Sequence, residues 1–437
     1  MPRTPIEARL AEAGLPPLLR SAWLEIDLDA LTGNLAALRE ATGEGVRVEA
    51  VVKADAYGHG AVPVARTLES AGADGLAVAT LDEAIELRAA GIGLPILVLY
   101  PIPVDGVGEA VARGVALTLG AGEPSASILA AAGDLVRDGS PLVVHVEIDT
   151  GLGRGGVAPE VAADTIERVR SARGVRLAGV WSHLAAAERP PSVRDQDATF
   201  RAALAPLADA VAWGSDGRAV ERHLAGSGGI LGDGASRWDA IRPGLSLYGL
   251  IPAGVDAGPG RDAAMARIRP VLSLHARPVR IAELPPGHGV SYGPSFVTTR
   301  PSRIATLPVG YGDGWHRFLS DRAFALVRGV RVPLVGRVAM DAVMADVTDV
   351  PGTPIHADDE FVLIGTQGTL RITADELAAV GGTISHEVIT PMSRRLARVY
   401  DAAGSAVAIR TLSAGRTEWR ASSSGMATSA TSRSTPS

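Results

Sequence analysis

The sequence predicts an α/β protein: a (β/α)8 TIM-type barrel followed by a mostly β C-terminal domain. Three observations carry this expectation. Eight short apolar, β-branched runs recur through the first 250 residues, and most gaps between them read as helices. Beyond about Ala266 those helical gaps give way to short strands between Gly and Pro turns. A chain of 437 residues also exceeds one barrel of roughly 250 and leaves room for a second unit.

Taken in order, residues 1–22 mix acidic and basic side chains with proline and lack the apolar core of a secretory signal. They read as a loosely ordered extension. The barrel is expected over 23–266, with strands at Val48 to Val52, Leu76 to Thr80, Ile96 to Tyr100, Val115 to Leu119, Val143 to Ile148, Leu177 to Trp181, Arg222 to Ala225 and Ile241 to Tyr248. Leu81 to Ala90 and Val161 to Ala172 space apolar residues at helical intervals, as outer helices of a parallel barrel should. The second domain, 267–415, has strands at Ile304 to Leu307, Phe324 to Val327, Val332 to Leu334, Ala342 to Val347 and Glu360 to Ile364. Residues 416–437 are read as a tail, disordered from Ala421 because Ser and Thr replace apolar residues there.

Composition narrows the chemistry. A hydrophobic content of 46% supports a large core, and a net charge of −6 offers no basic field for nucleic acid. With no cysteine there is no thiolate nucleophile and no cysteine-held metal. The histidines are scattered rather than paired at ligand spacing, so no metal site is expected. The apolar stretch near Gly93 to Val104 is too short and proline-broken to span a membrane, which leads to the expectation of a cytoplasmic protein.

Lys53 is the only lysine, in a chain that otherwise uses arginine for positive charge. A guanidinium stays protonated and cannot form an imine with an aldehyde, so a lysine retained against that bias points to its amine. A solvated strand-end lysine is the ordinary alternative. Against it stands Lys53-Ala54-Asp55-Ala56-Tyr57-Gly58-His59-Gly60, an amine, a phenol and two glycines in the turn after a parallel strand. Catalytic groups of barrels collect at such turns.

This octapeptide resembles the cofactor-lysine motif of the alanine racemase family, and the likeness extends from Trp23 to Tyr400. Trp23 to Leu31 is similar to the family's opening strand. The resemblance implies that Lys53 holds pyridoxal 5'-phosphate as a Schiff base and that Tyr57 donates to its phosphate. Asp149-Thr150-Gly151-Leu152-Gly153-Arg154 is similar to the segment whose arginine meets the cofactor phenolic oxygen and the substrate carboxylate, a task suited to a guanidinium fork. His183, in Trp181-Ser182-His183, resembles the imidazole beside the cofactor ring that bonds the ring-contacting arginine. Ser227-Gly228-Gly229-Ile230 resembles a phosphate cradle. In Ile241-Arg242-Pro243-Gly244-Leu245, the likeness assigns Arg242 to the pyridine nitrogen and the Gly244 and Leu245 backbone to the phosphate. An arginine there keeps the ring nitrogen largely unprotonated and restrains side reactions. Val290-Ser291-Tyr292-Gly293 resembles the block that supplies a second base from the partner subunit of a homodimer. Racemisation needs an acid–base group on each face of a planar carbanion, and Lys53 and Tyr292 fill those roles. Tyr311 is implied at the entrance, and Met340 and Asp341 beside the substrate carboxylate.

Four positions depart from the family pattern. Glu147 stands where a carbamylated lysine usually orients the arginine, and it is expected to carry the negative charge directly. Gly226 replaces a frequent asparagine, and Ala339 a frequent cysteine, which widens the pocket slightly. His386 replaces a tyrosine that touches the phosphate; it is shorter and titrates near neutrality. The reading is an amino-acid racemase that interconverts L- and D-alanine for peptidoglycan. A serine or broad-specificity racemase is the first alternative. A barrel decarboxylase is the second, opposed by Arg242 and the Tyr292 block.

Overall fold

The structure, a computed structural model, describes residues 4–135, 140–207, 219–232, 238–412 and 417–419. Eight parallel strands close a barrel: Arg47–Val51, Gly75–Val78, Ile96–Val98, Val115–Leu119, Leu142–Glu147, Val175–Trp181, Glu221–Gly226 and Ala240–Arg242. The last returns to the first through Arg47 opposite Ala240 and Val48 opposite Ile241. Strands covered on both faces need largely apolar runs, which makes all eight visible in the sequence. The eighth is shorter than expected: it ends at Arg242, and Leu245–Tyr248 forms a 3-10 turn instead, because Pro243 and Gly244 break the strand. The expected helices form at Leu81–Ala89 and Ala162–Arg170; the first starts on a capping box between Thr80 and Glu83.

The second domain is built on a sheet of twelve described strands. Its middle pairs Phe324–Val327 with Phe361–Gln367, and Phe361–Gln367 with Leu272–Ala276. All five strands expected beyond Ala266 are present. One assignment is corrected. Ala22–Asp27, grouped with the barrel by the sequence reading, runs antiparallel to Leu272–Ala276 and parallel to Ala397–Ala402. An apolar run carries no record of which sheet it joins. Here Trp23 stacks on His275 with ring centroids 5.5 Å apart, which fixes the strand to the second domain.

The extension is also more ordered than expected. Helix Ile6–Glu12 buries Ile6 and Leu10 against Trp23, Val399, Ala406 and Ile409. Arg9 lies between Glu25 at 3.1 Å and Asp401 at 2.5 Å. A helix this short is marginal alone, so burial and this ion pair decide its formation. Within the expected tail, Thr417–Trp419 pair with Ser405–Arg410; Ala421 to Ser437 lie outside the described residues. No helix among the described residues is long and apolar enough to cross a membrane.

Candidate active site

Lys53 sits just past the carboxyl end of the first barrel strand, Arg47–Val51. The four residues after it, Ala54, Asp55, Ala56 and Tyr57, all have φ of 53–54°. Left-handed backbone costs an L-residue about 1–2 kcal/mol, so such a run persists only where its surroundings over-determine it. The second domain supplies that constraint. Arg410 binds Asp55 at 2.8 and 3.0 Å, Arg398 donates to the Gly58 carbonyl at 2.9 Å, and the Tyr400 hydroxyl donates to the His59 carbonyl at 3.1 Å. Gly58 is required as well, because a Cβ there would lie 2.4 Å from the Ile389 carbonyl oxygen. Burial, then the positive charges of Arg154 and Arg242, hold the Lys53 amine below the usual lysine range. Its neutral, nucleophilic form is therefore easier to reach near neutral pH.

Arg154 extends from the loop after strand Leu142–Glu147. It reaches Glu147 at 3.4 Å and lies 5.3 Å from the centre of the Tyr100 ring. Burial pushes the Glu147 carboxyl up, and Arg154 pulls it back. Arg242 ends the eighth strand and is buried. It donates to the Ser182 carbonyl at 2.6 Å, to the Leu224 carbonyl at 3.3 Å and to Nδ1 of His223, and it packs 4.7 Å from the Trp181 ring centre. Because a guanidinium only donates, His223 must accept at Nδ1 and carry its proton on Nε2. That proton faces His145 Nδ1 at 3.0 Å, so His145 is protonated on its other nitrogen. Burial lowers both imidazoles, His145 to about 3, which keeps the pair neutral. Below them Glu49 Oε2 lies 4.0 Å from His223 Nδ1; burial and then Glu221 push the Glu49 carboxyl up to about 8.

One expectation is corrected by this network: the imidazole that receives Arg242 is His223, not His183. Strand direction explains it, since His223 lies inside the strand beside Arg242 whereas His183 lies beyond the end of its own. His183 remains at the mouth. Burial, then Arg242, Arg154 and Lys53, lower it to about 3.

The structure brings Ser227 beside the Gly244–Ser246 turn and Tyr57. Ser227 Oγ accepts from the Gly244 and Ser246 amides, each at 3.1 Å. The Tyr57 hydroxyl lies over Gly244, where an added Cβ would come within 2.5 Å of it. His386 approaches the Tyr57 ring with centroids 6.0 Å apart, and its buried Nδ1 has no hydrogen-bond partner. The Ser227 hydroxyl, which accepts from both amides and keeps its own proton to donate, a phenol and an orphaned imidazole nitrogen form a set of polar groups suited to a phosphate. The residues present therefore fit a phosphorylated aldehyde carried on Lys53.

The remaining predicted residues lie in the second domain, and in a single chain they face outward. Tyr292 is 72% exposed, Met340 52% and Tyr311 44%. Tyr292 and Tyr311 line one surface cavity with Arg317 and Val338. Among the described residues no hydrogen bond or ion pair joins Tyr292, Tyr311, Met340 or Asp341 to Lys53, Tyr57, Arg154 or Arg242. Asp341 is held by Arg395 at 2.5 Å. Elsewhere Glu25, His275 and Glu360 gather possible metal ligands, but protein groups already engage them. Arg9 and Trp23 bind Glu25, and His275 binds Glu360 and Ser273.

The sequence reading missed His145, His223, Tyr100 and the three residues that hold the Lys53 turn. A usable signal existed for the histidines, because each is a polar residue inside an otherwise buried strand.

A reactive amine at the carboxyl end of a parallel barrel, with guanidinium groups and an anion cradle around it, defines an enzyme that works on a carbonyl or amino group. Comparison with known proteins supplies the family. The chain matches the alanine racemase N-terminal domain over residues 26–252 and the alanine racemase C-terminal domain over 271–400. It is 39% identical over 397 residues to the alanine racemase of Halothermothrix orenii, covering 88% of this chain and 97% of that one. With the enzyme of Symbiobacterium thermophilum it shares 41% over 390 residues, 87% of this chain and 97% of the other. The crystal structure of the Bacillus anthracis alanine racemase with bound L-Ala-P superimposes with a TM-score of 0.79 at 34% identity, over 92% of this chain and all of that one. This chain belongs to the alanine racemase family, and it is a racemase, an isomerase by reaction class.

Proposed function

We propose that the protein is a pyridoxal-phosphate-dependent alanine racemase acting as a cytoplasmic homodimer and supplying D-alanine for peptidoglycan. The single observation that best supports this reading is Lys53, whose amine is set below its ordinary range beside Arg154, Arg242 and a phosphate-shaped donor set. Pyridoxal phosphate, when bound, supplies an electron sink that acidifies the α-carbon of an amino acid.

The protein's own groups do the rest. Tyr57, Ser227, His386 and the amides of Gly244 and Leu245 would hold the phosphate. Arg242, backed by His223, would present a retained positive charge to the ring nitrogen. Arg154, braced by Glu147, would hold the substrate carboxylate and the cofactor phenolic oxygen, with Met340 and Asp341 at the carboxylate end. His183 would line the ring. Lys53 moves the α-proton on the D side and Tyr292 of the partner subunit on the L side, so inversion needs both faces. Tyr311 narrows the entrance toward a small side chain.

The test is L-alanine incubated with the cofactor-loaded protein in heavy water, followed by chiral separation with mass detection. D-alanine bearing deuterium at the α-carbon is the expected product. Untouched alanine with a bound cofactor would overturn the substrate assignment and direct attention to Glu147, Ala339 and His386.

A further inference from the structure

Tyr311 begins a single helical turn, Tyr311–Asp313, whose far end is the fully buried Asp313. That carboxylate accepts from the Gly310 amide at 3.0 Å and closes the turn on itself. The turn also leans on the substrate-side segment: the Tyr311 amide donates to the Ala339 carbonyl at 3.0 Å, and the Gly312 amide to the Met340 carbonyl at 2.9 Å. Contact there is tight, because a Cβ on Gly310 would lie 2.3 Å from both carbonyl oxygens. Any shift of Asp313 must therefore move Tyr311 and Met340 together.

The main counter-charge on Asp313 comes from outside both catalytic domains. Arg20 grips it with a two-pronged pair, Nη1 to Oδ1 and Nη2 to Oδ2, each at 2.6 Å, and Nη2 also donates to the Pro308 carbonyl at 2.6 Å. Arg395 adds a longer contact at 3.4 Å and passes on to Asp341 at 2.5 Å. Arg20 is itself held in place. It lies between helix Ile6–Glu12, fixed by Arg9 to Glu25 and Asp401, and Ser21, whose carbonyl accepts from the Arg277 amide at 2.8 Å. A buried carboxylate that loses its fork of donors keeps the cost of burial without the compensation, so the turn must rearrange.

We propose that Arg20 is a positioning residue for substrate entry: through Asp313 it fixes Tyr311 and Met340, and so sets how tightly the small amino acid is held. The proposal rests on the reading of Tyr311 as an entrance residue.

The experiment compares Arg20→Ala, Arg20→Lys, Arg9→Ala and Tyr311→Ala as cofactor-loaded proteins. KM and kcat for L-alanine and the thermal midpoint are measured on each. Arg20→Ala should raise KM about fivefold to tenfold with kcat within about twofold, the pattern of lost uniform binding. Arg20→Lys, which keeps the charge but not the fork, should fall between wild type and Arg20→Ala, and it serves as the test if the alanine variant does not fold. Arg9→Ala loosens the same extension away from the entrance and should lower the thermal midpoint with KM unchanged. A fall in midpoint for both arginine variants with no change in KM for Arg20→Ala or Arg20→Lys would overturn the proposal. If Tyr311→Ala leaves KM unchanged while the Arg20 variants raise it, the entrance reading of Tyr311 fails instead, and Arg20 acts through Met340 alone.

Discussion

The two halves of the candidate site differ in how complete each is within one chain. The barrel half is buried and wired: Arg242 reaches His223, His145 and two carbonyls, Ser227 joins two amides, and Arg410, Arg398 and Tyr400 hold the turn after Lys53. The second-domain half ties its backbone together, with the Tyr311 and Gly312 amides on the Ala339 and Met340 carbonyls, yet it shows Tyr292, Tyr311 and Met340 to the outside. Two exposed tyrosines on one surface cavity, with an exposed methionine in the same domain, are characteristic of a surface that meets a partner. The contrast teaches that the polar groups around Lys53 are set within one chain, whereas Tyr292, Tyr311 and Met340 are left open to whatever is set against them.

Breaking the barrel half should cost most. Lys53→Arg keeps the cation and removes the only side-chain amine able to form an imine, so racemisation should fall by about 10⁴ or more. The imine absorbance should be lost with it; retained turnover would refute the role of Lys53. Breaking the other half should be more selective. Tyr292→Phe should lower kcat by about 10²–10⁴, while Lys53 still exchanges the α-proton of D-alanine with heavy water without inverting it. Proton NMR with chiral analysis separates exchange from inversion; equal loss of both would mean that Tyr292 does not serve one face.

Smaller effects sharpen the comparison within the barrel. Glu147→Gln removes the carboxylate that braces Arg154 and should lower kcat/KM by about tenfold, the worth of a charge-assisted hydrogen bond. Glu147→Lys should recover activity only with added bicarbonate. The least effect is expected at His386, whose imidazole is held below its ordinary range by burial and then by Lys53. It is neutral at pH 7 and gains a proton only as the pH falls. Phosphate affinity should therefore strengthen with acidity relative to His386→Ala, and the variant should bind the cofactor about threefold to tenfold more weakly. Identical affinities across pH 5 to 8 would rule the contact out.

Much of this arrangement was legible in the sequence because it is written in local patterns. Barrel strands are largely apolar runs, and the Lys53, Arg154, Arg242 and Tyr292 blocks are contiguous. What was not legible depends on distant partners. Ala22–Asp27 reads as a strand whichever sheet it joins, and its distant ladders to Leu272–Ala276 and Ala397–Ala402, with Trp23 stacked on His275, place it. The extension over 1–22 reads as loose because the order of its described part comes from distant partners, apolar burial on Trp23, Val399 and Ile409 and ion pairs to Glu25, Asp401 and Asp313. His223 was passed over because nothing near it in sequence signals Arg242, nineteen residues away but adjacent across two strands. The exposure of Tyr292 is equally invisible to a motif.

Subunit complementation tests the central claim most directly. Lys53→Ala and Tyr292→Phe proteins, each inactive in racemisation, would be mixed, unfolded, refolded together and assayed with L-alanine. A homodimer with shared sites predicts that mixed dimers carry one intact site, so activity returns to about a quarter of the wild-type value at equal proportions. Mixed dimers that form yet stay inactive would place Lys53 and Tyr292 in the same chain's site and contradict the account.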